Sequence, residues 1–139
     1  MTTETKGMWD FFICHILPDA GVARDLANAL NAQGLKVWYS DYSLKPGDPL
    51  TAILDFGLSR ARMGIVIISP QFLQQCWPAQ ELNALAIRGV NGKKAILPVW
   101  HKVSFRDVFD YSPVLADAVA IGTSKGLDYA VQRIIDTAK

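Results

Sequence analysis

Glu81 stands four residues after Trp77 in "WPAQE", within a stretch, residues 69 to 85, that carries no other charged side chain. Residues four apart share a helix face. Pro78 suits the first position of a helix, where its missing N–H costs nothing. The spacing therefore predicts that Trp77 and Glu81 point the same way, toward the crevice beside the strand that ends at Ser69. An acid and a ring on one face can hold a ligand together, the ring as an apolar or stacking wall and the acid as a charge. A lone Glu is most often a solvated helix residue favoured near the helix N-terminus. What sets Glu81 apart is the aromatic beside it and the loop "LKPGDP" at a neighbouring strand end.

Other chemistries find less support. A phosphate-cradling loop needs several glycines between a strand and its helix, and "CHILPDAG" has one glycine and a proline. A phospho-receiver needs clustered acids at early strand ends, which "FFICHI" lacks. Ser69, His15 and Asp41 could be drawn as a hydrolase triad, but no G-x-S-x-G elbow surrounds a serine. Cys14 and Cys76 have no spacing to each other or to His15 and His101 that suggests a metal site. Both read as reduced, packed thiols. His15 and His101 each follow an apolar strand, where a partly buried histidine with a backbone partner is the bland reading; for His15 a ligand role weighs equally.

The elements that must position these residues come from an alternating pattern. Apolar runs at 11–16, 36–40, 63–69, 95–101 and 118–122 are separated by helically spaced segments, such as Val22, Leu26, Ala29 and Leu30 before Gly34, and Leu50, Ile53, Leu54 and Leu58. "MGIVIIS" is β-branched at consecutive positions, as in a strand covered on both faces. Five such units predict a flavodoxin-like, doubly wound, five-stranded parallel sheet with helices on both faces, its ligand crevice beyond the carboxyl ends of the strands. With 139 residues, half of them hydrophobic, the chain suits one domain. The net charge of +1, with no basic face, argues against nucleic acid. No apolar stretch approaches the roughly 20 residues a membrane helix needs, and the polar "MTTETKG" is no signal core, so a soluble, cytoplasmic protein is expected.

The segments "DFFICHI", "GLKVWYSDYSLKPGDPL", "GIVIISPQFLQQCWPAQEL", "KAILPVWH" and "YSPVLADAVAI", in this order, resemble a TIR domain of the bacterial type over nearly the whole chain. The resemblance implies a flexible segment at 1–8 and the domain at 9–139. "DYSLKPGDPL" is similar to the family's BB loop, which makes Leu44, Lys45, Pro46, Gly47, Asp48 and Pro49 candidates for assembly. "WPAQE" is similar to the Trp-x-x-x-Glu motif of the TIR domains that cleave NAD, which makes Glu81 the catalytic residue. Substrate contacts are expected from Cys14, His15, Ser40, Asp41 and Trp77. The chain departs from the usual family pattern in having Cys14 rather than Ser before His15, and Ser40 before Asp41 where an acid often follows the second strand directly.

By this resemblance the chain is expected to split the nicotinamide–ribose bond of NAD+, as substrate rather than cofactor, giving nicotinamide and ADP-ribose or a cyclic form. A single carboxylate can suffice, because nicotinamide departs neutral while the acid stabilises the oxocarbenium-like ribose. Self-association and a fused or partner sensor domain, within an anti-phage immune protein, are also implied. The alternative is a TIR–TIR interaction module without turnover, in which Glu81 is incidental.

Overall fold

A computed structural model describes residues 9–39, 43–45, 47–75, 77–90, 96–118 and 120–138. Residues 1–8, expected to be flexible, lie outside it. Five strands, β1 (Trp9–Cys14), β2 (Val37–Tyr39), β3 (Ala61–Ile68), β4 (Ile96–Trp100) and β5 (Ile121–Gly122), form one sheet in the order β2-β1-β3-β4-β5. Every pairing is parallel, as the expected doubly wound sheet requires. The helices are α1 (Ala20–Ala32), α2 (Leu50–Leu58), α3 (Pro70–Leu73), α4 (Ala79–Val90), α5 (Phe105–Phe109), α6 (Pro113–Ala116) and α7 (Leu127–Ala138).

Strand alternation sorts the core into two layers. Phe11 and Ile13 of β1, Ile65 and Ile67 of β3, and Leu97 and Val99 of β4 pack with Leu26 and Leu30 of α1 and Val131 and Ile134 of α7. Their neighbours Phe12, Cys14, Val66, Ile68 and Ile96 face the other way, against Leu50 and Leu54 of α2, Phe72 of α3 and Leu82 and Leu85 of α4. That is why β3 is apolar at every position from Ile65 to Ile68. On the second face Phe12 lies between two glycines: a Cβ on Gly64 would sit 2.5 Å from its ring and 2.8 Å from Ile96 Cδ1, and one on Gly57 would overlap the ring as well.

Two short helices escape the periodicity argument. α3 and α6 each open on Ser-Pro, with Ser69 and Ser112 as N-caps whose hydroxyls accept from Phe72 N–H and Leu115 N–H. Among the described residues no helix is long and apolar enough to cross a membrane.

Candidate active site

β1 and β3 are neighbours, but the helix after β1 covers one face and the helices after β3 cover the other. Their carboxyl ends therefore border the crevice that a doubly wound sheet opens for ligands. Here Ser69 donates to Asp19 Oδ2 at 2.5 Å and accepts from Phe72 N–H at 3.1 Å. Both side chains are buried, Asp19 at 5% exposure and Ser69 at 1%. Sequence reasoning missed Asp19. Its position just ahead of α1 suggests only a helix cap, yet it makes no side-chain cap bond there and reaches across to β3 instead.

The described residues of the loop after β2 are tied down. Leu44 is buried, its N–H donating to His15 O at 2.7 Å, and it forms a parallel bridge with Ile16. The next residues close a turn: Asp48 N–H donates to Lys45 O at 3.0 Å, and Lys45 N–H donates to Asp48 Oδ2 at 2.7 Å. Gly47 takes φ +88°, which other residues adopt only with strain. Pro49 then stands at the N-cap of α2 without a side chain able to cap it. Of the expected contacts, Ser40, Asp41 and Pro46 lie outside the described residues, as does Cys76.

Glu81 supplies the missing cap. Its Oε1 accepts the N–H of Leu50, the first residue of α2, at 2.9 Å. Glu81 is half-buried in the first turn of α4, so it is neither the freely solvated helix residue of the bland reading nor fully sequestered. Trp77 departs from expectation. It stands just ahead of α4, near the cap as Pro78 predicts, but its side chain turns back toward α3 rather than along the helix face that carries Glu81. Its indole is 7% exposed, lies 5.3 Å from the Phe72 ring, and donates Nε1–H to Phe72 O at 2.8 Å. Trp77 is thus a core residue at the root of α4 and not an open stacking wall. His101 is half-buried, with Nδ1 2.8 Å from Thr123 Oγ1, a side-chain partner rather than the expected backbone one.

A cavity of about 330 Å³ opens between the β1 end and α2, lined by Phe12, Cys14 and His15, Trp38, Leu44, and Ile53 and Phe56 among others, with Glu81, Trp77 and His101 outside its lining. It is mostly apolar, and its size falls at the small end of ligand pockets. His15 is 1% exposed, with Nδ1 2.8 Å from the Ile16 carbonyl. That oxygen only accepts, so Nδ1 carries the proton and in the neutral ring Nε2 is the acceptor. Burial pushes the Cys14 thiol from 9.0 up to about 12, so it remains a neutral thiol and does not serve as a nucleophile.

The Cys14 shift has a sign. Between about pH 9 and 12 an unfolded thiol gives up its proton while the folded one keeps it, so this contribution is complete below 9 and lost as pH rises toward 12. Chemical denaturation at about pH 8 and about pH 11 should show Cys14→Ala losing less stability over that interval than the parent. Equal losses would mean that the thiol ionises alike in both states.

A TIR domain model matches residues 11–135, and the chain belongs to the TIR domain family. It is 48% identical over 122 residues to the 2' cyclic ADP-D-ribose synthase BtTIR of Bacteroides thetaiotaomicron, covering 87% of this chain and 42% of that protein. It is 41% identical over 128 residues to the NAD(+) hydrolase TcpA of Theionarchaea archaeon (strain DG-70-1), covering 91% and 39%. The chain thus spans less than half the length of these relatives. Among solved structures, the TIR domains of the activated Roq1 resistosome share the fold at TM-score 0.66 and 17% identity, over 92% of this chain and 98% of theirs. A metazoan TIR-STING receptor from C. gigas does so at 0.60 and 20%, over 91% and 40%.

Proposed function

We propose that this chain is the catalytic domain of a larger protein that cleaves NAD+ between nicotinamide and ribose, with Glu81 as the catalytic residue. The observation that carries the reading is the 48% and 41% identity, across nearly the whole domain, to relatives named as a cyclic ADP-ribose synthase and an NAD+ hydrolase. The geometry supports a division of labour. The apolar cavity suits the flat nicotinamide ring, with His15 in its lining, and in this reading the ribose lies toward the N-terminus of α2, where Glu81 stands. As the glycosidic bond breaks, its electron pair goes to the nicotinamide nitrogen, which leaves neutral. Positive charge grows on the ribose, and the Glu81 carboxylate stabilises it. Water then captures the sugar to give ADP-ribose, or a hydroxyl of the same molecule captures it to give a cyclic product.

Self-association is part of the proposal, as is a sensor domain elsewhere in the protein and a role in bacterial anti-phage immunity. The Roq1 neighbour is an assembly containing TIR domains, which supports the first. In this reading the loop around Gly47 opens the crevice when one domain docks on the next. A Cβ added at Gly47 meets nothing within 4 Å, but the φ of +88° there penalises a β-branched residue. Nicotinamide release, followed by chromatography with light scattering in parallel, should rise more steeply than linearly with protein concentration. Gly47→Val should stay folded and lose both assembly and the steep rise. No release from protein artificially clustered at high concentration would leave the non-catalytic interaction module as the better account, and specific activity that stays flat with concentration would remove the gate alone.

A further inference from the structure

We propose that the backbone amide of Leu50 is the positioning group for Glu81, holding one carboxylate oxygen so that the other is presented to the ribose. The inference rests on the catalytic reading of Glu81. The first N–H groups of a helix have no partner within it. α2 enters through Pro49, which offers none, and the acceptor comes instead from Glu81, thirty-one residues along the chain.

The donor is held rigidly. Leu50 and Leu54 are fully buried, Leu58 nearly so, and the backbone at Gly57 is pressed against the Phe12 ring. The acceptor is held as rigidly at its other end. Glu81 N–H donates to Pro78 O at 2.9 Å in the first turn of α4, and the chain entering that turn is fixed by the Trp77 indole on Phe72 O. A glutamate fastened at its Cα and at Oε1 has few rotamers left, so Oε2 acquires a defined direction. Charge stabilisation in a transition state depends on such advance placement, since a group that must reorganise during the reaction loses much of its effect. The same contact could instead restrain Glu81 in an idle pose. The burial of Leu50 argues against that, because a donor sunk in the core stays in place in the proposed opening around Gly47.

The test replaces Leu50 by the α-hydroxy acid of the same side chain, which turns the amide between residues 49 and 50 into an ester. The isobutyl group stays in the core; the N–H is lost, and the Pro49 carbonyl, which accepts Ile53 N–H at 3.0 Å, becomes a weaker ester acceptor, a helix effect that the control shares. A matching ester at Leu54, within α2, weakens the helix without touching Glu81. In clustered protein given NAD+, the ester at 50 is expected to lower kcat about tenfold with KM within about twofold, and the ester at 54 to lower stability but not kcat. An unchanged or raised kcat for the ester at 50 overturns the proposal. Amide hydrogen exchange supplies a second measure that needs no ester: Leu50 N–H should be protected in the natural protein and in Glu81→Gln and exposed in Glu81→Ala, and equal exchange in all three also overturns it. Turnover by Glu81→Gln would instead sink the catalytic reading, so the two failures are distinguishable.

Discussion

Glu81→Gln will abolish turnover, by at least about a hundredfold in kcat, and leave the protein almost as stable as before, whereas Glu81→Ala will abolish turnover and also lower stability. The difference lies in the bond to Leu50 N–H. The glutamine amide oxygen still accepts it, giving up only the attraction between a negative charge and the helix N-terminus, worth a few tenths of a kcal/mol to about 1. Alanine leaves the first N–H of α2 without a cap, and cap removal typically costs about 1 kcal/mol, or a few degrees in melting temperature for a domain of this size. Nicotinamide release and thermal melts on the two variants side by side check both halves. Residual turnover by Glu81→Gln removes Glu81 from catalysis; identical melts for the two variants remove it from the capping of α2. From sequence alone both substitutions look harmless to the fold, because a glutamate on an exposed helix turn has nothing to hold.

Gly64→Ala should be among the most destabilising single-methyl changes in the protein. The new Cβ would lie 2.5 Å from the Phe12 ring and 2.8 Å from Ile96 Cδ1, and Gly57 closes the retreat on the opposite side. The ring must swing toward the cavity it lines or push α2 away from the sheet. Overpacking of this kind costs roughly 1 to 3 kcal/mol. Phe12→Leu, which shortens the obstacle, should cost less in the Gly64→Ala background than in the parent, and denaturant titrations of the two single variants and the double variant give the coupling directly. Strict additivity would show that the alanine and the ring do not meet. If the ring does swing into the cavity, NAD+ use should also suffer, seen as a raised KM.

These two residues show how far the sequence can be read. The β-branched run of β3 and the apolar run of β1 announce themselves because a strand covered on both faces has no polar positions to confuse the pattern. The Ser-Pro openings of α3 and α6 went unread, because helices of four residues offer no periodicity to draw attention to their cap and first-position signals. Glu81 stood out by its isolation among neutral residues, though its partner did not, since nothing local connects it with a backbone amide in another helix. Trp77 stands near the cap of α4 as Pro78 predicts, but helical spacing does not extend to a residue ahead of the cap, and the indole bonds back to Phe72 instead of following α4. Asp19 drew no attention in the sequence, and only the adjacency of β1 and β3 in the sheet makes Ser69 its partner.

The strand order also dictates when a growing chain can first protect itself. β1 pairs with β2 at three positions and with β3 at five, and every pairing is parallel, so each must wait for a crossover to be made. While synthesis has reached only residue 60, β1 is apolar on both faces and has a three-residue strand for company. Its stronger partner arrives with residues 61 to 68, and the cap for α2 only with residue 81. Non-local pairing of this type folds slowly and exposes unpaired edges meanwhile. The N-terminal half of this domain is therefore the part that a chaperone would meet during synthesis, and a translational pause before residue 68 has emerged would prolong that exposure, whereas one after residue 81 has emerged would not.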